Sequence, residues 1–158
     1  MDEDKKILYI LIGSGKKPLA GYGAYKGDFI QVCEVQLGRC KTNQSASIST
    51  GDYKIFYQNE NNITYMLMTM VSYPLATAVT CIESLKKEIG QDLRGRNFSN
   101  VSDYGLNSEY QEKLKMKFEY FNENTEVVSE NIQILKKQMM QYKDDVFKAA
   151  DALNERGD

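Results

Sequence analysis

Gly13-Ser14-Gly15-Lys16, directly after an apolar run, is the first place where residue types and spacing suggest chemistry, because glycine-rich turns ending in lysine cradle phosphates. A P-loop needs four residues between its glycines and a Ser or Thr after the lysine; Lys17 stands there, so the stretch reads as a hairpin turn. Gly21, Gly23 and Gly27 miss the dinucleotide register, since Lys26 occupies the place of the third glycine. They read as strand glycines under a packed helix. The sequence contains no histidine, which removes Ser-His and Cys-His nucleophile pairs and the commonest zinc ligand. Asp144-Asp145 and Glu83 with Glu88 read as carboxylates on solvated helix faces without a metal-ligand cluster around them. The expectation is therefore no catalytic residue, no metal and no cofactor.

Cys33, Cys40 and Cys81 are odd in number and sparse, which suits reduced thiols in a cytosolic setting better than a disulfide framework. Cys33 and Cys81 fall on expected helices as small core residues, and Met66, Met68 and Met70 alternate along one expected strand as core fillers. The final Arg156-Gly157-Asp158 spells an adhesion tripeptide, a coincidence at the end of a cytosolic helix. Lys plus Arg is 20 and Asp plus Glu is 22, a net charge of -2, so no basic excess exists to neutralise a nucleic-acid backbone. The start is acidic, and the apolar run Ile7 to Ile12 is too short for a signal-peptide core. The longest apolar stretch, Ile63 to Val71, falls short of the ~18 to 20 residues of a membrane span. Sequons at Asn43, Asn62 and Asn97 would stay unused without secretion.

The 158 residues suffice for one domain and an appended segment. Ile7 to Ile12 and Leu19 to Tyr25 read as a hairpin around residues 13–18. Asp28 suits the N-cap of a helix burying Phe29, Val32, Cys33 and Leu37 and closed by Gly38. Three strands follow, Ser45 to Thr50, Tyr53 to Gln58 and Ile63 to Val71, separated by Gly51-Asp52 and by residues 59–62. Pro74 opens a helix with Leu75, Val79, Ile82, Leu85 and Ile89 inward, ending at Gly90. After a polar loop over 91–103, Ser108 caps a last domain helix with Tyr110, Leu114, Phe118 and Phe121 inward. The order β-β-α-β-β-β-α-α implies an α+β fold in three layers, with helices on both faces of a mostly antiparallel sheet.

From about Asn122 glycine and proline vanish until Gly157, charges become dense, and apolar residues thin to a stripe. Ile132, Leu135, Met139, Tyr142, Val146, Ala149 and Leu153 alternate steps of three and four, and the rhythm lands on Arg156. A helix closing on its own domain shows the same spacing. The arginine tips the balance toward a multi-helix coiled coil, because a bundle can surround one seam charge with polar groups and thereby fix register.

Gly27-Asp28-Phe29, the strand pair Tyr53 to Tyr57 and Ile63 to Thr69, Leu106 to Tyr110, and Leu153-Asn154-Glu155-Arg156-Gly157 together resemble a longin-domain R-SNARE. The resemblance is to the vesicle-associated membrane protein, or synaptobrevin, family of the tetanus-insensitive type and runs over essentially the whole chain. It implies a profilin-like longin domain over 5–121, a five-stranded antiparallel sheet between one helix and two helices. The N-terminal half of an R-SNARE motif would follow as a coiled-coil helix over 126–158. Arg156 then matches the central ionic layer that pairs with three glutamines of Qa-, Qb- and Qc-SNARE partners, and the seven seam residues match the layers before it. Tyr142 is unusually bulky and Ala149 small for such layers, and the linker over 121–127 is slightly long. The second half of the motif and a membrane anchor would lie beyond Asp158. The resemblance further implies a regulatory surface at Phe29, Val32, Cys33 and Ile48. The seam of residues 128–153 would fold back across the first helix and the edge strand Ser45 to Thr50 until partners, a coat adaptor or a tethering factor displace it. The alternative for this segment is a disordered tail. Residence on the cytoplasmic face of endosomal, lysosomal or post-Golgi vesicles is implied as well. The competing reading is a longin-type scaffold subunit of a tethering or nucleotide-exchange complex.

Overall fold

The computed structural model describes residues 5–23, 28–144 and 146–147. Gly27, Ala149, Leu153, Arg156 and Asp145, all singled out by the sequence, lie outside the described residues. The first strands are β1 (Ile7–Ser14) and β2 (Lys17–Tyr22), followed by helix α1 (Phe29–Leu37). The meander is β3 (Ser45–Thr50), β4 (Tyr53–Glu60) and β5 (Ile63–Met70), and helices α2 (Leu75–Leu93) and α3 (Asn107–Glu123) complete the domain. The tail forms a short helix α4 (Ile132–Lys137) and a strand β6 (Met139–Lys143). The sheet order is β2-β1-β5-β4-β3-β6, antiparallel throughout except that β6 runs parallel to β3.

β1 is a continuous apolar run because it is central and covered on both faces. Its alternation slips once. Ile10 and Ile12 face one core and Leu11 the other, but Leu8 and Tyr9 both join Leu11, where the register against β5 shifts between Ile7 and Tyr9. One extra residue in a strand re-aims every side chain before it. α2 and α3 cover the first core, around Phe56, Leu67, Ile82 and Leu114. The nine-residue α1 covers the second with Val32, Cys33 and Leu37, over Met66 and Met68.

The turns are tighter than their composition suggests. β4 runs on to Glu60, so Asn61 and Asn62 alone turn the chain, at φ of 55° and 65°. Asn tolerates this left-handed region, which a two-residue hairpin turn of the primed kind demands. Gly13 and Ser14 belong to β1 and only Gly15-Lys16 turns, an ordinary hairpin. Gly21 is small for a different reason than a helix overhead: an added Cβ would lie 2.0 Å from the Tyr9 hydroxyl. α2 continues three residues beyond Gly90. Ser108 is not a cap; α3 begins at Asn107, whose Oδ1 instead accepts a hydrogen bond from the Gly21 amide at 2.9 Å. Asp28 occupies the cap position of α1 without a side-chain bond.

The largest departure is in the tail, where part of the coiled-coil helix expected over 126–158 is instead a helix of six residues, Ile132–Lys137, and a strand of five, Met139–Lys143. A lone amphipathic helix of this length is marginal in water. The open edge of β3 offers backbone partners, and the apolar side chains find the two cores instead of other helices.

Candidate partner-binding surface

The connection after α3 is fastened before the seam begins. Asn122 closes on β1 twice, its Oδ1 accepting from the Ile7 amide at 2.6 Å and its Nδ2 donating to the Ile7 carbonyl at 3.1 Å. Thr77 Oγ1 donates to the Thr125 carbonyl, and the Ser129 amide donates to Thr80 Oγ1 at 2.8 Å, laying the chain along α2. These polar residues carry no periodic signal, and nothing in their local spacing singles them out.

The seam residues then divide between the two faces of the sheet. Ile132 packs at the border of the α2/α3 core, and Leu135 and Met139 are buried in it at 8% and 6% exposure. Because strand side chains alternate, β6 sends Met140 and Tyr142 to the opposite face, beside Ala46 and Ile48 of β3. Tyr142 stays 40% exposed, whereas Val146 is wholly buried in the α1 core. Ala149, Leu153 and Arg156 lie outside the described residues.

Of the expected domain surface, Val32, Cys33 and Ile48 are buried in the α1 core together with Val146. Phe29 is half-buried and forms an aromatic cluster with Tyr53 and the tail's Phe147, at centroid distances of 5.3 Å and 6.5 Å; Tyr53 and Phe147 are 5.1 Å apart. Tyr53 enters the sequence reading only as the start of a strand and Phe147 not at all; neither is expected at this surface. The Val146 amide donates to Thr50 Oγ1 at 3.2 Å and the Asp144 amide to the Ser49 carbonyl at 3.0 Å. Asp144 follows a strand rather than lying on a helix, and its carboxylate pairs with Arg39 at the end of α1. Glu83 and Glu88 pair with Lys86 and Lys117. The tail therefore docks by apolar burial at its two ends and by backbone pairing with a few polar clasps between.

Burial pushes the Tyr57 hydroxyl and the Cys40 thiol up to about 12. All three cysteines are free thiols. Among the described residues no helix is long and apolar enough to cross a membrane.

A family model described as the longin, regulated-SNARE-like domain matches residues 19–124, more than half of the chain. The chain belongs to the longin family. The match begins within β2 and ends just after α3. No curated protein matches the chain. The longin architecture here is α+β, with a mixed six-stranded sheet whose sixth strand comes from the tail. A longin domain of the SNARE-like kind is a protein-interaction module, in keeping with a surface that holds a peptide segment along its sheet edge.

Proposed function

We propose that this longin protein is an R-SNARE, of the tetanus-insensitive vesicle-associated membrane protein type. Its tail pairs with one Qa-, one Qb- and one Qc-SNARE helix in a parallel four-helix bundle that draws membranes together. The reading is carried by one observation: a stripe no wider than a coiled-coil seam, from Ile132 through Leu153, lands on Arg156. Each apolar layer buries side chains worth roughly 1.5 to 3 kcal/mol apiece, and a buried arginine among glutamines penalises slipped registers. The chemistry is association alone; no residue is assigned a catalytic role.

In this reading the longin domain regulates the tail. The same Leu135, Met139 and Val146 that form layers in the bundle lie buried against the domain in the free chain, so the two arrangements compete for them. The site of action is the cytoplasmic face of endosomal, lysosomal or post-Golgi vesicles, with a coat adaptor or tethering factor among the partners.

The test mixes the 158-residue chain with the three Q-SNARE helices and follows circular dichroism. An R-SNARE gains helicity beyond the sum of the components, and Arg156→Leu changes which Q helices are accepted more than it changes the stability of the bundle. No gain in helicity with any set of Q helices favours the second reading, a longin scaffold subunit of a tethering or nucleotide-exchange complex. That reading needs only the domain, and the family match suits it equally.

A further inference from the structure

β6 covers the open side of β3 and in doing so becomes an edge itself. The Asp144 amide donates to the Ser49 carbonyl, and backbone groups alternate in direction along a strand, so Met140, Tyr142 and Asp144 address β3. The backbone groups of Met139, Gln141 and Lys143 point the other way, where no strand among the described residues pairs with them. The side chains leave this edge open as well. Every β6 residue after Met139 is exposed, and Met140 and Tyr142, at 51% and 40% exposure, stand on the same face of the sheet.

An edge of this kind accepts an extended segment as an added strand, and the pattern of β6 suits a second β6. Laid antiparallel about a two-fold axis at Gln141, the strand sets Gln141 opposite Gln141 and Met139 opposite Lys143. These are the hydrogen-bonded positions of an antiparallel pair, and they fall on the residues whose backbone groups point outward. Met140 of each copy then faces Tyr142 of the other in the closer positions between, where an aromatic and a long apolar side chain pair favourably. Lys143 meets Met139, so no like charges are opposed. An axis at Met140 or at Tyr142 would instead leave Tyr142 facing Gln138 or Met140 facing Asp144. We propose that two copies of this chain pair through β6 about Gln141, joining their sheets edge to edge in an isologous contact. The contact is small, which makes the association a transient one. It also holds the tail on the domain, because only a docked tail presents β6, and association through one arrangement alone shifts the population toward it. The proposal rests on the docked tail and is independent of which partners the seam takes.

Sedimentation equilibrium of the full chain over about 0.01 to 1 mM, with residue-resolved amide exchange at both ends of that range, tests it. The mass should climb from monomer toward dimer, and the Gln141 and Lys143 amides should gain about tenfold protection with concentration. The Met140 and Tyr142 amides, bonded to β3, should be protected already in the dilute chain. Gln141→Pro removes an outward donor that β3 does not use, at an edge where proline is tolerated, and should abolish self-association while Met140 and Tyr142 stay protected. Met140→Glu, at an exposed position, should weaken association at least about tenfold by setting a carboxylate against Tyr142. A chain that stays monomeric with Met140 and Tyr142 protected overturns the pairing and leaves the docked tail standing. Exchange of those two amides at the unfolded rate overturns both. A dimer undiminished by either variant lies elsewhere on the surface and overturns the β6 contact, and Gln141 protection that appears only when Q-SNARE helices are added gives the edge to a partner instead of a second copy.

Discussion

The two edges of the sheet are closed by different means. At β2 the loop before α3 supplies the cover: the Tyr104 amide donates to the Pro18 carbonyl at 2.8 Å and the Leu106 amide to the Leu19 carbonyl at 2.9 Å. That cover is anchored in the domain. Leu106 is buried in the α2/α3 core, and Tyr104, held at a φ of 59°, donates from its hydroxyl to Glu34 Oε2 on α1 at 2.7 Å. At β3 the cover is β6, a longer pairing whose last four residues are exposed and which is fastened by Val146, Phe147 and the Arg39–Asp144 pair. A cover bonded into the core leaves only when the domain unfolds, whereas a cover held by its ends detaches alone.

Variants on the two sides should separate along that line. Leu106→Ala opens a cavity in the permanent cover and should cost about 2 to 5 kcal/mol, lowering the melting temperature by roughly 5 to 20 °C for a chain of this size, with both edges lost together. Val146→Asp puts an unpaired carboxylate into the α1 core, a penalty of several kcal/mol that the tail avoids by leaving. Hydrogen exchange in β6 should then become rapid while the domain melts within about 2 °C of the parent. Tyr104→Phe removes the bond to Glu34 and should cost about 1 to 3 kcal/mol in denaturant melts, without loosening β6. Arg39→Ala, on an exposed pair, should speed β6 exchange by no more than the ~0 to 1 kcal/mol of a surface ion pair, and less in high salt.

The permanent cover also carries a pH signature. Burial raises the Tyr9 hydroxyl to about 12, and it raises Tyr104 further still. A phenol whose folded value is raised is stabilising in full below its unfolded value near 10 and loses that contribution as pH climbs toward 12. Thermal melts should therefore fall across that window in the parent and fall less steeply in Tyr104→Phe.

Most of the domain was legible because its elements follow their own local physics. The apolar run of β1, the three-and-four spacing on α2 and α3, and the Gly51 and Asn61-Asn62 turns each announce themselves within a dozen residues. What was missed depends on distant neighbours. The slip at Leu8 is set by pairing with β5, Asn107 turns from a helix start to the Gly21 amide, and Asn122 clasps the beginning of β1. The tail shows the limit most clearly. Spacing of three and four states that Leu135, Met139 and Val146 want burial; it does not name the surface that buries them, and here an edge strand draws Met139–Lys143 out of helix. Arg156, the residue on which the functional reading turns, lies outside the described residues.

Amide hydrogen exchange across 132–147 in the free chain and in the presence of the Qa-, Qb- and Qc-SNARE helices addresses the competition for the seam most directly. The account predicts measurable protection of Met139–Lys143 in the free chain that Val146→Asp abolishes. On mixing, a strand-to-helix change should re-protect the whole segment as helical content rises. A tail that exchanges at the unfolded rate in the free chain, or β6 protection that is unaltered by saturating Q helices, would contradict it.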